Sequence, residues 1–201
     1  MYLITDRALF ADVPSLESAV EEALKGGAKA IQLREKDIPL RQLLAIAYRL
    51  RRLTSDYYAA LYINDRVDVA IAVGADGAHL GRNSVPASAA KKASRGRLLA
   101  GVSTHSLAEA VDAEKDGADF LTFGPVYSTP SKLRYGPPVG INALREVCSR
   151  VAIPVFAIGG ITPERTAEVR SAGARGVAVI SAILGAKDRE KTTERFLGYL
   201  E

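Results

Sequence analysis

Short apolar or β-branched runs alternate along the chain with longer stretches in which apolar residues recur at i, i+3 and i+4. The short runs read as strands: Tyr2–Thr5, Ala30–Leu33, Leu61–Asn64, Gly77–Leu80, Leu98–Val102, Phe120–Phe123, Val155–Ile158 and Val177–Ile180. Between them, Leu16–Lys25, Leu40–Leu53, Leu107–Asp116 and Pro163–Ala172 read as helices, with Val20, Ala23 and Leu24 showing the helical spacing. Strand followed by helix, eight times over, predicts a parallel sheet. About 25 residues per unit suits a small closed (β/α)8 TIM barrel, with residues 1–201 forming a single α/β domain. An open doubly wound sheet is the alternative.

An internal repeat favours the barrel. Gly27-Ala28, Gly74-Ala75, Gly117-Ala118 and Gly173-Ala174 each end a helical pattern just before an even-numbered strand. Glycine at this position accepts the left-handed conformation that stops a helix. The small alanine then lets the chain turn tightly into the sheet. No Pro/Ser-rich linker or block of like charge divides the chain.

Composition narrows the class. Apolar residues make up 48% and charged residues 25%, the balance of a soluble globular protein. No run approaches the roughly 20 apolar residues of a membrane span. The N-terminus enters a strand without a basic leader, and Cys148 is a lone cysteine, so a reducing cytoplasm is expected. The net charge of +4 suits anionic small ligands, and no basic stripe with interleaved aromatics points to nucleic acid. The sequence does not fix the oligomeric state; a homodimer is left open.

In such barrels the chemistry sits at the C-terminal ends of the strands. After the second strand, alternation puts Gln32, Arg34 and Lys36 on one face. Polar side chains turned inward there are unfavourable unless a ligand satisfies them, and Arg34 and Lys36 both suit phosphate oxygens. A solvated Arg/Glu/Lys network is the plainer alternative. After the third strand, Asp65 reads either as a helix cap or as a carboxylate for Mg2+, with Asn64 beside it. After the fifth strand, Ser103 is placed to touch ligand, Ser106 and Glu109 form a capping box, and His105 supports the site. His79, within the fourth strand, reads equally as a hydrogen-bonded core histidine or as a catalyst.

The longest loop, 124–140, follows the sixth strand and reads as a lid. Its Thr129, Ser131 and Lys132 have the chemistry to clasp a diphosphate. After the seventh strand come Gly159 and Gly160, whose missing side chains let a ligand approach backbone amides, then Thr162 as N-cap and Pro163 at the first helical position. Ile180 and Ser181 follow the eighth strand, and these last two loops form the usual phosphate site of a TIM barrel. No GxSxG, HExxH, CxxC or P-loop motif occurs, and Cys148 has no activating partner in its motif.

These motifs, in this order, resemble the thiamine phosphate synthase family and its TenI-like thiazole tautomerase relatives. The matching segments are Tyr2–Arg7, Gln32–Lys36, Tyr62–Arg66, Asp76–Gly81, Gly101–His105, Gly124–Thr129 with Lys132, and Ala157–Ile161, which span almost the whole chain. The resemblance implies that hydroxymethylpyrimidine diphosphate is joined to hydroxyethylthiazole phosphate with release of pyrophosphate. It implies that Gln32, Arg34, Lys36, Asn64 and Lys132 hold the pyrimidine diphosphate, that Asp65 binds Mg2+, and that Ser103 contacts the pyrimidine. Thr129, Ser131, Gly160, Ile180 and Ser181 would bind the thiazole phosphate. Arg34, Lys36 and Lys132 would stabilise the leaving pyrophosphate, with no protein nucleophile.

Two positions depart from the family pattern. Ser84 stands where the synthases have a second Mg2+-binding aspartate, which should weaken the metal site. Pro125 stands where the tautomerases have a histidine, as it does in synthases. A tautomerase would then need another base, such as His105. The missing carboxylate also motivates a third alternative, a non-catalytic relative that binds thiamine phosphates.

Overall fold

The computed structural model describes residues 1–129 and 137–200. Eight parallel strands pair in sequence order and close: β1 (Tyr2–Ile4), β2 (Ala30–Leu33), β3 (Ala60–Asn64), β4 (Gly77–Leu80), β5 (Leu99–Thr104), β6 (Phe120–Phe123), β7 (Val155–Ile158) and β8 (Gly176–Val179). The closing pair is β1 with β8, in the register Tyr2 to Ala178. This is the expected (β/α)8 barrel. Helices α1 (Val13–Lys25), α2 (Leu40–Asp56), α3 (Val67–Val73), α4 (Ala87–Ala93), α5 (Leu107–Lys115), α6 (Gly140–Arg150) and α7 (Pro163–Ser171) return the chain between strands, and α8 (Ser181–Leu184) and α9 (Arg189–Gly198) end it. Among the described residues, no helix is long and apolar enough to cross a membrane.

The Gly-Ala repeat does what its chemistry requires. Gly27, Gly74, Gly117 and Gly173 all have φ between 64° and 97°. At each helix end the glycine N–H bonds a carbonyl three residues back, as from Gly117 to Glu114 at 3.0 Å. The alanine N–H reaches five back, as from Ala118 to Ala113 at 3.0 Å. That pair of bonds satisfies carbonyls the helix end leaves open. The alanines are buried, so each terminator also packs the start of the next strand against the core.

Several strand bounds differ by one or two residues from the sequence reading, and two of these differences bear on the site. β5 runs on to Thr104, because Ser103 and Thr104 continue the ladder opposite Thr122 and Phe123. β8 stops at Val179, and Ile180 becomes the N-cap residue of α8. Helix α4 lacks a readable stripe because its only apolar residues are alanines.

Alternation divides the apolar residues between two cores. Leu3, Ile31, Leu33, Leu61 and Ile63 pack outward against the helices. Tyr2, Ile4, Tyr62, Phe120 and Ala178 turn inward, with Phe156 against them. The interior rings meet edge to face, Tyr2 with Tyr62 at 5.4 Å and with Phe120 at 5.6 Å, a favourable quadrupole arrangement. Glycines on neighbouring strands make room for them. A Cβ at Gly77 would lie 2.5 Å from the Tyr62 ring, and one at Gly101 would lie 2.3 Å from Phe120 Cζ. The aromatic layer thus floors the barrel and leaves its other end for chemistry.

We predict that Gly101→Ala, which overpacks this layer, lowers stability by about 1–3 kcal/mol. A denaturation midpoint equal to that of the parent chain would show that Phe120 is not confined as described.

Candidate active site

Polar side chains gather at the end of the barrel opposite the aromatic floor. Gln32 is buried in β2 and its Nε2 donates to Tyr2 Oη at 2.9 Å. Just beyond the strand, the Arg34 N–H donates to Thr5 Oγ1 at 2.9 Å. The exposed Lys36 places Nζ 3.3 Å from Asp65 Oδ2. Glu35, between these two, turns away and is buried. It accepts the Thr5 hydroxyl at 2.6 Å and the Arg7 N–H at 3.2 Å on each oxygen. Burial pushes its carboxyl above the ordinary range. Thr5 is therefore clamped by Glu35 while it holds the Arg34 backbone. Glu35 is not one member of a solvated network but a pin that sets where Arg34 and Lys36 stand. The sequence signal for it is the alternation itself, which turns position 35 opposite to 34 and 36.

Asp65 sits at the end of β3 with φ 59°, a backbone conformation that aspartate tolerates better than most residues. Its N–H donates to the His79 carbonyl at 2.9 Å, which ties the turn to β4. The carboxylate is surrounded by donors. Oδ1 accepts the Ser84 hydroxyl and the Gly81 N–H, the latter at 3.3 Å. Oδ2 accepts Asn64 Nδ2 at 2.6 Å and faces Lys36. Partial burial pushes the Asp65 carboxyl up, but the Ser84 hydroxyl, the Lys36 ammonium and the Gly81 N–H together hold it below the ordinary value. The capping alternative fails, since the N-cap of α3 is Arg66 and no side chain caps it. Ser84 also accepts the Gly81 N–H at 2.7 Å, so it meets Asp65 as a neutral partner.

Among the described residues, no three His, Cys, Asp or Glu side chains gather as a metal cage. A lone carboxylate beside a hydroxyl fits only a cation shared with ligand oxygens, which is how Mg2+ is commonly held at phosphates.

His79 and its partners lie deeper. The ring is buried, with Nδ1 3.3 Å from Tyr2 Oη and Nε2 2.9 Å from Ser103 Oγ. Burial holds its pKa near 3, helped by the cations Arg34 and Lys36 and opposed by Asp65. His79 is thus a neutral, hydrogen-bonded interior histidine. At the rim, His105 Nδ1 lies 2.5 Å from the Gly124 carbonyl and links the loops after β5 and β6. Ser106 Oγ caps α5 by accepting the Glu109 N–H at 3.2 Å. The Glu109 carboxylate returns to the His105 N–H rather than to Ser106, one residue earlier than in the usual box.

The loop after β6 lies along the loop after β7. Val126 N–H donates to the Ile158 carbonyl at 2.8 Å and Tyr127 N–H to that of Gly159 at 3.0 Å. The glycine pair is needed for this contact. A Cβ on Gly159 would lie 2.5 Å from Pro125 Cβ, and one on Gly160 would lie 2.6 Å from the Ser128 carbonyl. The space on the Cβ side of both glycines is filled by Pro125–Ser128. Arg165 closes the joint, with its guanidinium 4.5 Å from the Tyr127 ring centre and donating to the Gly160 carbonyl at 2.6 Å. Tyr127 Oη in turn donates to Glu168 at 2.5 Å. Neither Arg165 nor Glu168 stood out in sequence, because both look like ordinary charges on an exposed helix.

Thr162 is the N-cap residue of α7 with Pro163 after it, although the threonine side chain makes no cap bond. Ser181 opens α8 and is exposed, with the partly buried Ile180 before it. Thr129 is partly buried at the edge of the described segment. Ser131 and Lys132 lie outside the described residues. Cys148, half-buried in α6, has its thiol pushed up to about 11 by burial, which leaves it inert.

Known proteins resemble this chain over nearly its whole length. The family model described as thiamine monophosphate synthase matches residues 1–183. A Pyrococcus furiosus protein named thiamine-phosphate synthase is 46% identical over 201 residues, covering 100% of this chain and 94% of that one. A Roseiflexus castenholzii protein of the same name is 45% identical over 193 residues, covering 96% of this chain and 84% of that one. The solved structure of thiamine phosphate pyrophosphorylase from Pyrococcus furiosus matches with a TM-score of 0.89 at 45% identity, over 99% of this chain and 94% of that one.

The buried histidine makes stability depend on pH. Its pKa is about 3 in the fold and about 6.5 in an unfolded chain. The unfolded state therefore takes the proton first. We predict that this contribution is fully present above about 6.5 and is lost as the pH falls toward 3. Chemical denaturation across that window should show a shallower dependence in His79→Gln; equal slopes would contradict the assignment.

Proposed function

The chain belongs to the thiamine monophosphate synthase family, and on that footing we propose that it makes thiamine phosphate from hydroxymethylpyrimidine diphosphate and hydroxyethylthiazole phosphate. The observation that carries this reading is the group at the ends of β2 and β3. There Lys36 stands 3.3 Å from a single ionised carboxylate, Asp65, and Arg34 projects from the same end of β2, its backbone held by Thr5. That is a donor set for a highly charged diphosphate, and a lone lysine–aspartate pair half in solvent contributes little as a stability device.

In this reading the bond between the pyrimidine methylene carbon and the diphosphate oxygen breaks, and its electron pair leaves on pyrophosphate. The thiazole nitrogen then donates its lone pair to the resulting pyrimidine cation. Arg34, Lys36 and Lys132 hold the leaving group, with Gln32 and Asn64 beside it, and Ser103 orients the pyrimidine. Fixed cations aimed at developing charge are the strongest lever available to a site without a nucleophile. Asp65, with the diphosphate, would hold a Mg2+ that neutralises further charge on the leaving group. Thr129, Ser131, Gly160, Ile180 and Ser181 bind the thiazole phosphate, the usual place for phosphate in this architecture. The uncharged His79 imidazole and the aromatic floor suit a cationic intermediate. We place the reaction in the cytoplasm, in keeping with a single inert cysteine. The tautomerase alternative needs His105 as base; its Nδ1 meets the Gly124 carbonyl, so Nε2 is the nitrogen that would serve.

Incubation with both substrates and Mg2+ should yield thiamine phosphate; no product, with both ligands shown to bind, would overturn the reading. Arg34→Ala should lower kcat by about 10²–10³-fold, whereas a rate within two-fold of the parent would remove Arg34 from leaving-group stabilisation. Ser84→Asp adds the carboxylate that the position lacks, so half-maximal activity should move to lower Mg2+ concentration. An unchanged Mg2+ titration would contradict the role given to that position.

A further inference from the structure

Gln32, Tyr2, His79 and Ser103 lie on one hydrogen-bonded line that runs from the aromatic floor to the mouth. Gln32 Nε2 donates to Tyr2 Oη at 2.9 Å. The phenol has one proton of its own, and His79 Nδ1 lies 3.3 Å from the same oxygen. With the amide as incoming donor, the phenol O–H is left to point at Nδ1, which is then the unprotonated nitrogen. A neutral imidazole carries a single N–H, so that proton is on Nε2. Nε2 lies 2.9 Å from Ser103 Oγ and 3.3 Å from Thr122 Oγ1, and Thr122 donates to Ser103 Oγ at 3.3 Å. Ser103 Oγ therefore receives two donors from within the barrel, and its own proton is directed away from both.

We propose that Tyr2 and His79 are positioning residues that lock His79 as its Nε2–H tautomer and so make the Ser103 hydroxyl a dedicated donor toward the barrel mouth, selecting a ligand with an acceptor there, such as a pyrimidine ring nitrogen. The identity of that ligand rests on the synthase reading; the direction of the chain does not. Gln32, Tyr2, His79 and Thr122 are all buried, so protein partners rather than solvent choose the tautomer. The ring stays neutral because burial and the nearby cations Arg34 and Lys36 disfavour its charged form. A fixed donor also discriminates strongly, because a ligand lacking the acceptor leaves a polar group unpaired.

The test is nitrogen NMR of the full chain labelled at histidine, which has only His79 and His105 to assign. The unmodified protein should show an unprotonated Nδ1 and a protonated Nε2 at His79. Tyr2→Phe should shift that balance toward Nδ1–H. It should also raise KM for the pyrimidine diphosphate about ten-fold, as for loss of one oriented hydrogen bond, and leave KM for the thiazole phosphate unchanged. His79→Gln, whose amide can still donate to Ser103, should bind the pyrimidine diphosphate more tightly than His79→Leu. Protonated Nδ1 or an imidazolium in the unmodified chain would overturn the proposal, as would a Tyr2→Phe variant with the same tautomer and the same KM. If the parent chain forms no thiamine phosphate, the synthase reading fails, and the nitrogen spectrum still decides the tautomer.

Discussion

Eight short strands closed into a ring enclose room for only a few side chains per layer, and the filling of that room governs everything at the mouth. Here the lower layer is aromatic: Tyr2, Tyr62 and Phe120 meet at close to right angles, as do Phe120 and Phe156, over space that Gly77 and Gly101 leave free. Burying such rings is worth a few kcal/mol each. Above it the inward residues are polar, with Gln32, His79, Ser103 and Thr122 joined by hydrogen bonds through Tyr2. Tyr2 belongs to both layers, since its ring packs in the floor and its hydroxyl joins the polar chain. The floor therefore fixes the height and direction of the groups that face a ligand.

Two further joints carry that order outward. Glu35 and Thr5 tie β1 to the end of β2 and hold the backbone from which Arg34 and Lys36 project. Arg165, Tyr127 and Glu168 tie the loop after β6 onto the glycine turn after β7. Both joints use buried or stacked charges, which tolerate little repositioning. The carboxylate of Asp65, by contrast, is reached by partly exposed side chains. Its Lys36 partner can turn to a phosphate at small energetic expense, because an exposed ion pair is worth about 1 kcal/mol or less. The positions are rigid where groups must be aimed and loose where ligand must displace a partner.

Much of this was legible in the chain. The eight strands were readable because each is apolar and bounded by a helix pattern, and the Gly-Ala marks were readable because one backbone conformation demands them. The sites of Gln32, Arg34, Asp65 and Ser103 followed from the rule that polar residues at strand ends face the mouth. What was not legible depended on contacts between segments far apart in sequence. Alternation turns Glu35 away from Arg34 and Lys36, but nothing local shows that it meets Thr5 and Arg7, and nothing distinguishes Arg165 from any helix arginine. Nothing in the sequence shows that Gly159 and Gly160 also make room for Pro125 and Ser128; only the packing does. The choice between core and catalytic histidine at His79 likewise needed its partners, which come from three other strands.

The proposed reaction needs two separate anion sites at the mouth, one for the diphosphate and one for the thiazole phosphate. Crystals soaked together with pyrophosphate and hydroxyethylthiazole phosphate test it most directly. Pyrophosphate is expected against Arg34, Lys36 and Asp65, and the monophosphate against the turns at Gly160 and Ser181. Pyrophosphate on the Gly160 and Ser181 side, or both anions competing for a single place, would contradict it.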